Sequence, residues 1–127
     1  GFLSGREAAK YMKKRNRGSI FFTGATASLR GGSGFSAFSS AKFALRALAQ
    51  SMARELGPQG IHVAHFIIDG AIDTAFIKEN FPDTYALNEK DGILQPEAIA
   101  DAYWFVHTQH RSAWTHELDL RPYMEKF

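Results

Sequence analysis

One stretch of this 127-residue chain, Ala25 to Lys42, sets several hydroxyls near an ammonium. That stretch carries the hydroxyls of Thr26, Ser28, Ser36, Ser39 and Ser40, and the ammonium of Lys42. Lys42 follows Phe38 by four positions, and on a helix residues four apart share a face. An unperturbed aliphatic hydroxyl is a poor proton donor, so acid catalysis here would need tyrosine, histidine or an ordered water. The histidines lie elsewhere. His62 and His65 stand three apart in a β-branched, apolar run, where an odd interval sends them to opposite faces and excludes a two-ligand metal pair. With His107, His110 and His116 they read as packing or surface residues, and no metal site is expected. The sequence has no cysteine, which removes disulfides, thiolate metal sites and cysteine nucleophiles; redox chemistry would need a bound cofactor.

Gly32-Ser33-Gly34-Phe35-Ser36-Ala37 matches the G-x-G-x-x-A spelling of a dinucleotide-binding turn. Several residues separate it from the preceding apolar run, however, and the next strand-ending acid, Asp69, comes well beyond the usual interval of about twenty positions. It reads instead as a glycine-rich loop.

The elements that must position these groups follow from periodicity. Helix formers from Gly5 to Arg17 predict a helix, and Ser19–Thr23 predicts a strand buried on both faces. Phe38, Ala41, Leu45, Leu48, Met52 and Leu56 recur at steps of three and four, predicting a helix over 36–56 that Gly57-Pro58 ends. Ile61–Ile68 predicts a second strand turning at Asp69-Gly70, where Asp69 suits an Asx turn. Residues 71–95 read as irregular. Pro96-Glu97 opens a helix to about Thr108, and His116–Leu120 predicts a short last strand. Alternating helices and strands imply α/β architecture, a parallel sheet of about three strands flanked by helices. Repeats and interdomain linkers are absent, so residues 1–127 are expected to form a single domain.

The net charge of +2 gives no argument for nucleic acid; the basic cluster at Lys10, Lys13, Lys14, Arg15 and Arg17 reads as the solvated end of a helix. No run approaches the roughly 18 apolar residues of a membrane span, and no secretory leader is recognisable. A cytoplasmic location is expected.

Phe38-Ser39-Ser40-Ala41-Lys42, followed by a long amphipathic helix, resembles the Tyr-x-x-Ser/Ala-Lys pattern of short-chain dehydrogenases/reductases (SDRs), with phenylalanine in the tyrosine place. Gly18–Gly24 is similar to the strand before the family's catalytic serine loop, and Asp69-Gly70-Ala71-Ile72-Asp73-Thr74 to its Pro-Gly-x-Val-x-Thr turn. The resemblance implies the second half of a Rossmann-like fold, NAD or NADP as cofactor, and hydride transfer between nicotinamide and an alcohol or carbonyl carbon. The first half, with the glycine-rich pyrophosphate turn, is expected to lie upstream of Gly1.

By the same resemblance the catalytic places are Phe38 for tyrosine, Ala25 for serine and Lys42 for lysine. The first two are inactive replacements. Cofactor contacts are implied at Lys42, Gly70, Ile72 and Thr74, and a substrate pocket at Thr26, Phe38 and Phe76. Residues 75–95 take the place of the family's variable lid. The resemblance also implies a homodimer through the helices at 5–17 and 36–56, whose Phe43, Ala44 and Ala47 stand off the core stripe. Three functions are consistent with this: a truncated NAD(P)-dependent oxidoreductase without ordinary activity on its own, an enzyme of altered chemistry using Lys42, Thr26 and water, and a noncatalytic dimeric module that binds a small molecule or nothing.

Overall fold

The computed structural model describes residues 1–126. Three parallel strands, β1 (Gly18–Thr23), β2 (Ile61–Ile68) and β3 (Glu117–Leu120), lie in that order in one sheet. Gly18 pairs with Ile61 and Thr23 with Phe66; His65 pairs with Glu117 and Ile68 with Leu120. Helices α1 (Phe2–Lys13) and α2 (Ser36–Leu56) pack on one face, burying Ala9, Ala49, Met52 and Leu56 against Ile20, Phe22, Ile61 and Val63. The opposite face carries Ala64, Phe66 and Ile68 of β2, with Phe21 of β1 beside them. They are covered by Leu94 and by Ile99, Tyr103 and Val106 of a later helix spanning Pro96–His107. Every residue of β2 is buried because helices cover both faces, which is why its sequence is largely apolar on both faces instead of alternating.

The parallel three-stranded α/β sheet is the architecture that the order of elements predicts. The bounds differ in three places. The first helix runs over Phe2–Lys13, since Gly5 is an interior position: a Cβ there would come within 3.0 Å of the Phe22 ring, so glycine lets α1 approach the sheet. Residues 75–90 are not irregular but hold two short helices, α3 (Ala75–Asn80) and α4 (Pro82–Tyr85), and a 3-10 turn over Ala86–Lys90; the Pro96–His107 helix is therefore α5. A four-residue helix is too short for periodicity to register. Finally, Phe38 and Ala41 do not join the buried stripe of α2. The first turns of α2 lie against the 3-10 turn at Thr26–Ser28, and Ser39 is the residue facing inward.

Gly60 ends the turn between α2 and β2 at φ 78°, and a Cβ there would meet the Asn16 carbonyl oxygen at 2.5 Å. This left-handed residue lets β2 start flush beside β1.

Candidate functional site

The candidate residues collect beyond the C-terminal ends of the strands, the edge where open α/β sheets bind ligands. Lys42, on the second turn of α2, donates from Nζ to the main-chain carbonyl of Thr23 at 2.9 Å. Its ammonium also sits 5.6 Å from the centre of the Phe38 ring, so the helical spacing does bring the two side chains together. Phe38 is 47% exposed and has no proton to exchange.

Directly after β1, Gly24 donates its backbone N–H to Phe66 at 2.6 Å. It lies over the His65 ring, where a Cβ would stand 2.4 Å from Nε2 and 2.7 Å from Ser28 Oγ. Glycine is required by that close approach, and it fixes where Ala25 begins. Ser28 is fully buried, and its hydroxyl accepts from the Ala25 N–H at 3.1 Å.

Asp69, wholly buried at the end of β2, organises the floor. Thr26 Oγ1 donates to its Oδ1 at 2.5 Å, Arg121 lies 3.4 Å from Oδ2, and Arg30 lies 3.9 Å from Oδ1. A buried carboxylate is tolerated where it is so paired. The Asx-turn role expected of Asp69 is therefore corrected: its oxygens go to residues distant in sequence. Thr26 lines the expected pocket, with its hydroxyl proton directed to Asp69.

A cavity of about 420 Å³ opens here, lined by Ala25, Thr26, Arg30, Phe35, Phe38 and Ser39, with Ile68 and Gly70 behind. Phe76, expected in this pocket, is not among its lining residues; it is 63% exposed and faces Phe81 at 6.0 Å between ring centres, because α3 carries it away. Thr74 spends its hydroxyl capping α3, accepting from the Ile77 N–H at 3.3 Å. Ile72 pairs in parallel with Leu94 through the Ala71 carbonyl and the Asp73 N–H, which leaves Ile72's own N–H and C=O directed to the other side. A larger groove of about 1360 Å³ runs between α5 and the opposite end of β1, past Arg15, Arg17, Trp104 and His107, and touches none of the candidate residues.

Behind the site, Arg46 of α2 grips Glu117 through two hydrogen bonds of 2.6 and 2.8 Å, and Glu117 reaches His65 Nδ1 at 3.0 Å. The Arg46 bonds hold the Glu117 carboxyl below the usual carboxylate range. Burial lowers the His65 pKa, with Glu117 pulling the other way. His62 points to the α5 face, stacked on Trp114 at 4.6 Å between ring centres, and burial lowers its pKa also. Among the described residues no group of acidic or histidine side chains is arranged to hold a metal.

The family described as "short chain dehydrogenase" matches residues 2–84. The chain belongs to the short-chain dehydrogenase/reductase family. Among curated relatives, the Danio rerio 3-dehydrosphinganine reductase is 35% identical over 92 residues, 70% of this chain and 28% of that protein. A solved short-chain dehydrogenase from Rhodopseudomonas palustris is 53% identical with a TM-score of 0.73, covering 96% of this chain and 46% of that one. Serine dehydrogenase, solved with NADP+, shares the fold at a TM-score of 0.77 and 20% identity, covering 96% of this chain and 51% of that one. The chain thus spans about half the length of these two solved structures and less than a third of the curated reductase.

The SDR pattern leads straight to Ala25, Phe38 and Lys42, but not to Arg30 or Arg121, nor to the burial of Asp69. One signal for the last was present: an acid closing a largely apolar strand must find partners or stay outside.

Proposed function

We propose that this chain forms the nicotinamide- and substrate-facing half of an NAD(P)-dependent SDR oxidoreductase, and that it lacks ordinary dehydrogenase activity on its own. One observation carries the reading: Lys42 is held on the Thr23 carbonyl beside the Phe38 ring, while Phe38 and Ala25, in the places of tyrosine and serine, bear no hydroxyl.

The donor set fits a nicotinamide and its ribose. Lys42 makes one hydrogen bond of the three its ammonium can donate, leaving two for ribose hydroxyls. The N–H and C=O of Ile72, without a hydrogen-bond partner among the described residues, match a carboxamide, which needs one donor and one acceptor. Gly70 contributes the turn that leads to Ile72, whereas Thr74 is engaged as a cap and offers its backbone only. The cofactor, when bound, supplies hydride chemistry. On this reading the pyrophosphate turn belongs to a first half of the fold outside these 127 residues, and the protein lies in the cytoplasm.

Proton transfer is where the chain falls short. A ketone accepting hydride becomes an alkoxide and needs an acid, and phenylalanine supplies none. Thr26, the hydroxyl next to Ala25, gives its proton to Asp69, which weighs against the alternative of altered catalysis through Lys42, Thr26 and water. The same two missing hydroxyls favour a second reading, a noncatalytic module that binds a small molecule and assembles as a homodimer. Exposed Phe2 and Leu3 on α1, and Phe43, Ala44 and Ala47 on α2, give that dimer an apolar face.

Titration with NADH and NADPH, followed by nicotinamide fluorescence, tests the first reading. Micromolar binding, on the order of −8 kcal/mol, that is lost in Lys42→Ala is expected. A folded chain that binds neither nucleotide leaves the noncatalytic module.

A further inference from the structure

We infer that the cavity between the 25–35 loop and the first turns of α2 binds a small molecule carrying a carboxylate beside an apolar or aromatic body, anchored by Ser39 Oγ and the Arg30 guanidinium. This deepens the preceding reading, in which the cavity is the substrate side of the site.

Three independent features converge there. Ser39 lines the cavity, is 7% exposed, and among the described residues its hydroxyl has no hydrogen-bond partner. Buried hydroxyls are ordinarily paired, so this one, covered until its side chain turns, has a donor to offer a ligand. The second is the start of α2. This 21-residue helix has no side-chain cap and no acid in its first turn, and its first internal bond runs from the Ser39 N–H to the Phe35 carbonyl at 2.8 Å. The amides of Ser36, Ala37 and Phe38 precede that bond and have no helical acceptor, which favours an anion at this end of the cavity.

The third feature is Arg30. Its side chain is 47% exposed, makes no hydrogen bond among the described residues, and lies 3.9 Å from Asp69. Asp69 does not depend on it, having Thr26 on one oxygen and Arg121 near the other. Arg30 can therefore turn to a ligand carboxylate, for which a guanidinium offers a two-pronged match. One half-exposed cation and one neutral hydroxyl, with Asp69 nearby, suit a single negative charge better than a phosphate. Apart from three glycines and Thr26, whose hydroxyl is given to Asp69, the remaining lining, Ala25, Ala27, Phe35, Phe38 and Ile68, is apolar, which suits an anion with a hydrophobic body.

The test titrates the full chain, without nucleotide, with phenylacetate and with its uncharged counterpart phenylacetamide, following backbone amide shifts by NMR. Phenylacetate is expected to move the amides of residues 31–39 and to bind about tenfold more tightly than the amide. Arg30→Met should erase that preference, and Ser39→Ala should weaken phenylacetate severalfold without lowering the denaturation midpoint, since the hydroxyl removed has no protein partner. Equal binding of acid and amide, shifts centred elsewhere, or displacement of phenylacetate by equimolar inorganic phosphate would overturn the inference. So would a Ser39→Ala variant of lowered stability, which would reveal a structural role for the hydroxyl. Nucleotide binding with acid and amide bound alike overturns this inference alone. Carboxylate binding as described, with no binding of NADH or NADPH, overturns the oxidoreductase reading alone.

Discussion

Phe38 and Lys42 set a cation beside an aromatic ring that carries no hydroxyl. Installing a hydroxyl by Phe38→Tyr would place a phenol on a half-exposed ring beside the Lys42 ammonium, and a neighbouring cation favours the phenolate. The new phenol is expected to titrate about one unit below the usual 10, and to return toward 10 when Lys42→Ala is added. Ultraviolet difference titration against the parent chain measures this without any cofactor. Asp69 gives a second expectation. Asp69→Ala strips Arg121 and Thr26 of their buried partner and should cost about 3 kcal/mol in urea denaturation, as breaking one side of a buried ion pair does. Of these residues, Phe38 and Lys42 were legible in the sequence because helical spacing alone joins them. The partners of Asp69 come from the loop at Arg30 and the chain after β3 at Arg121, and no local pattern connects such positions.

At the scale of elements, the turn into β2 and the link from α2 to β3 each carry a measurable load. Gly60→Ala forces a Cβ into a left-handed conformation and against the Asn16 carbonyl, and is expected to lower stability by about 1–3 kcal/mol. The strand pair β2–β3 should also respond to pH. Folded His65 and His62 both titrate below the ordinary 6.5, chiefly through burial, so the unfolded chain binds protons more readily. Their contribution is full above about 6.5 and is lost as pH falls through the lowered folded values. Glu117, held below 4.5 by Arg46, adds a further loss at more acid pH. Urea midpoints should therefore fall between pH 7 and pH 5, and the combined variant His62→Gln/His65→Asn should flatten that interval. The spans of α2 and β2 could be read from sequence, since long periodic or largely apolar runs leave little choice. The start of α1 could not, because Gly5 looks like a boundary until Phe22 and Met52 are seen packed on it.

For the whole molecule, the alternation of helices and strands was enough to predict a parallel sheet, but sequence does not reveal which helix faces remain bare. Among the described residues the outer faces of α1 and α2 expose Phe2, Leu3 and Phe43 together with small alanines. If two copies pair through them, Phe43→Glu should shift sedimentation from dimer toward monomer while leaving the circular dichroism spectrum unchanged. A parent chain that sediments as a monomer at high micromolar concentration would rule the pairing out.

The seat of Lys42 has one last consequence. Its hydrogen-bond partner is a peptide oxygen, and every amino acid placed at position 23 supplies the same oxygen in the same strand. The address of the cation is therefore written in the backbone. Substitutions at Thr23 cannot erase it, and a phenylalanine at position 38 leaves it standing.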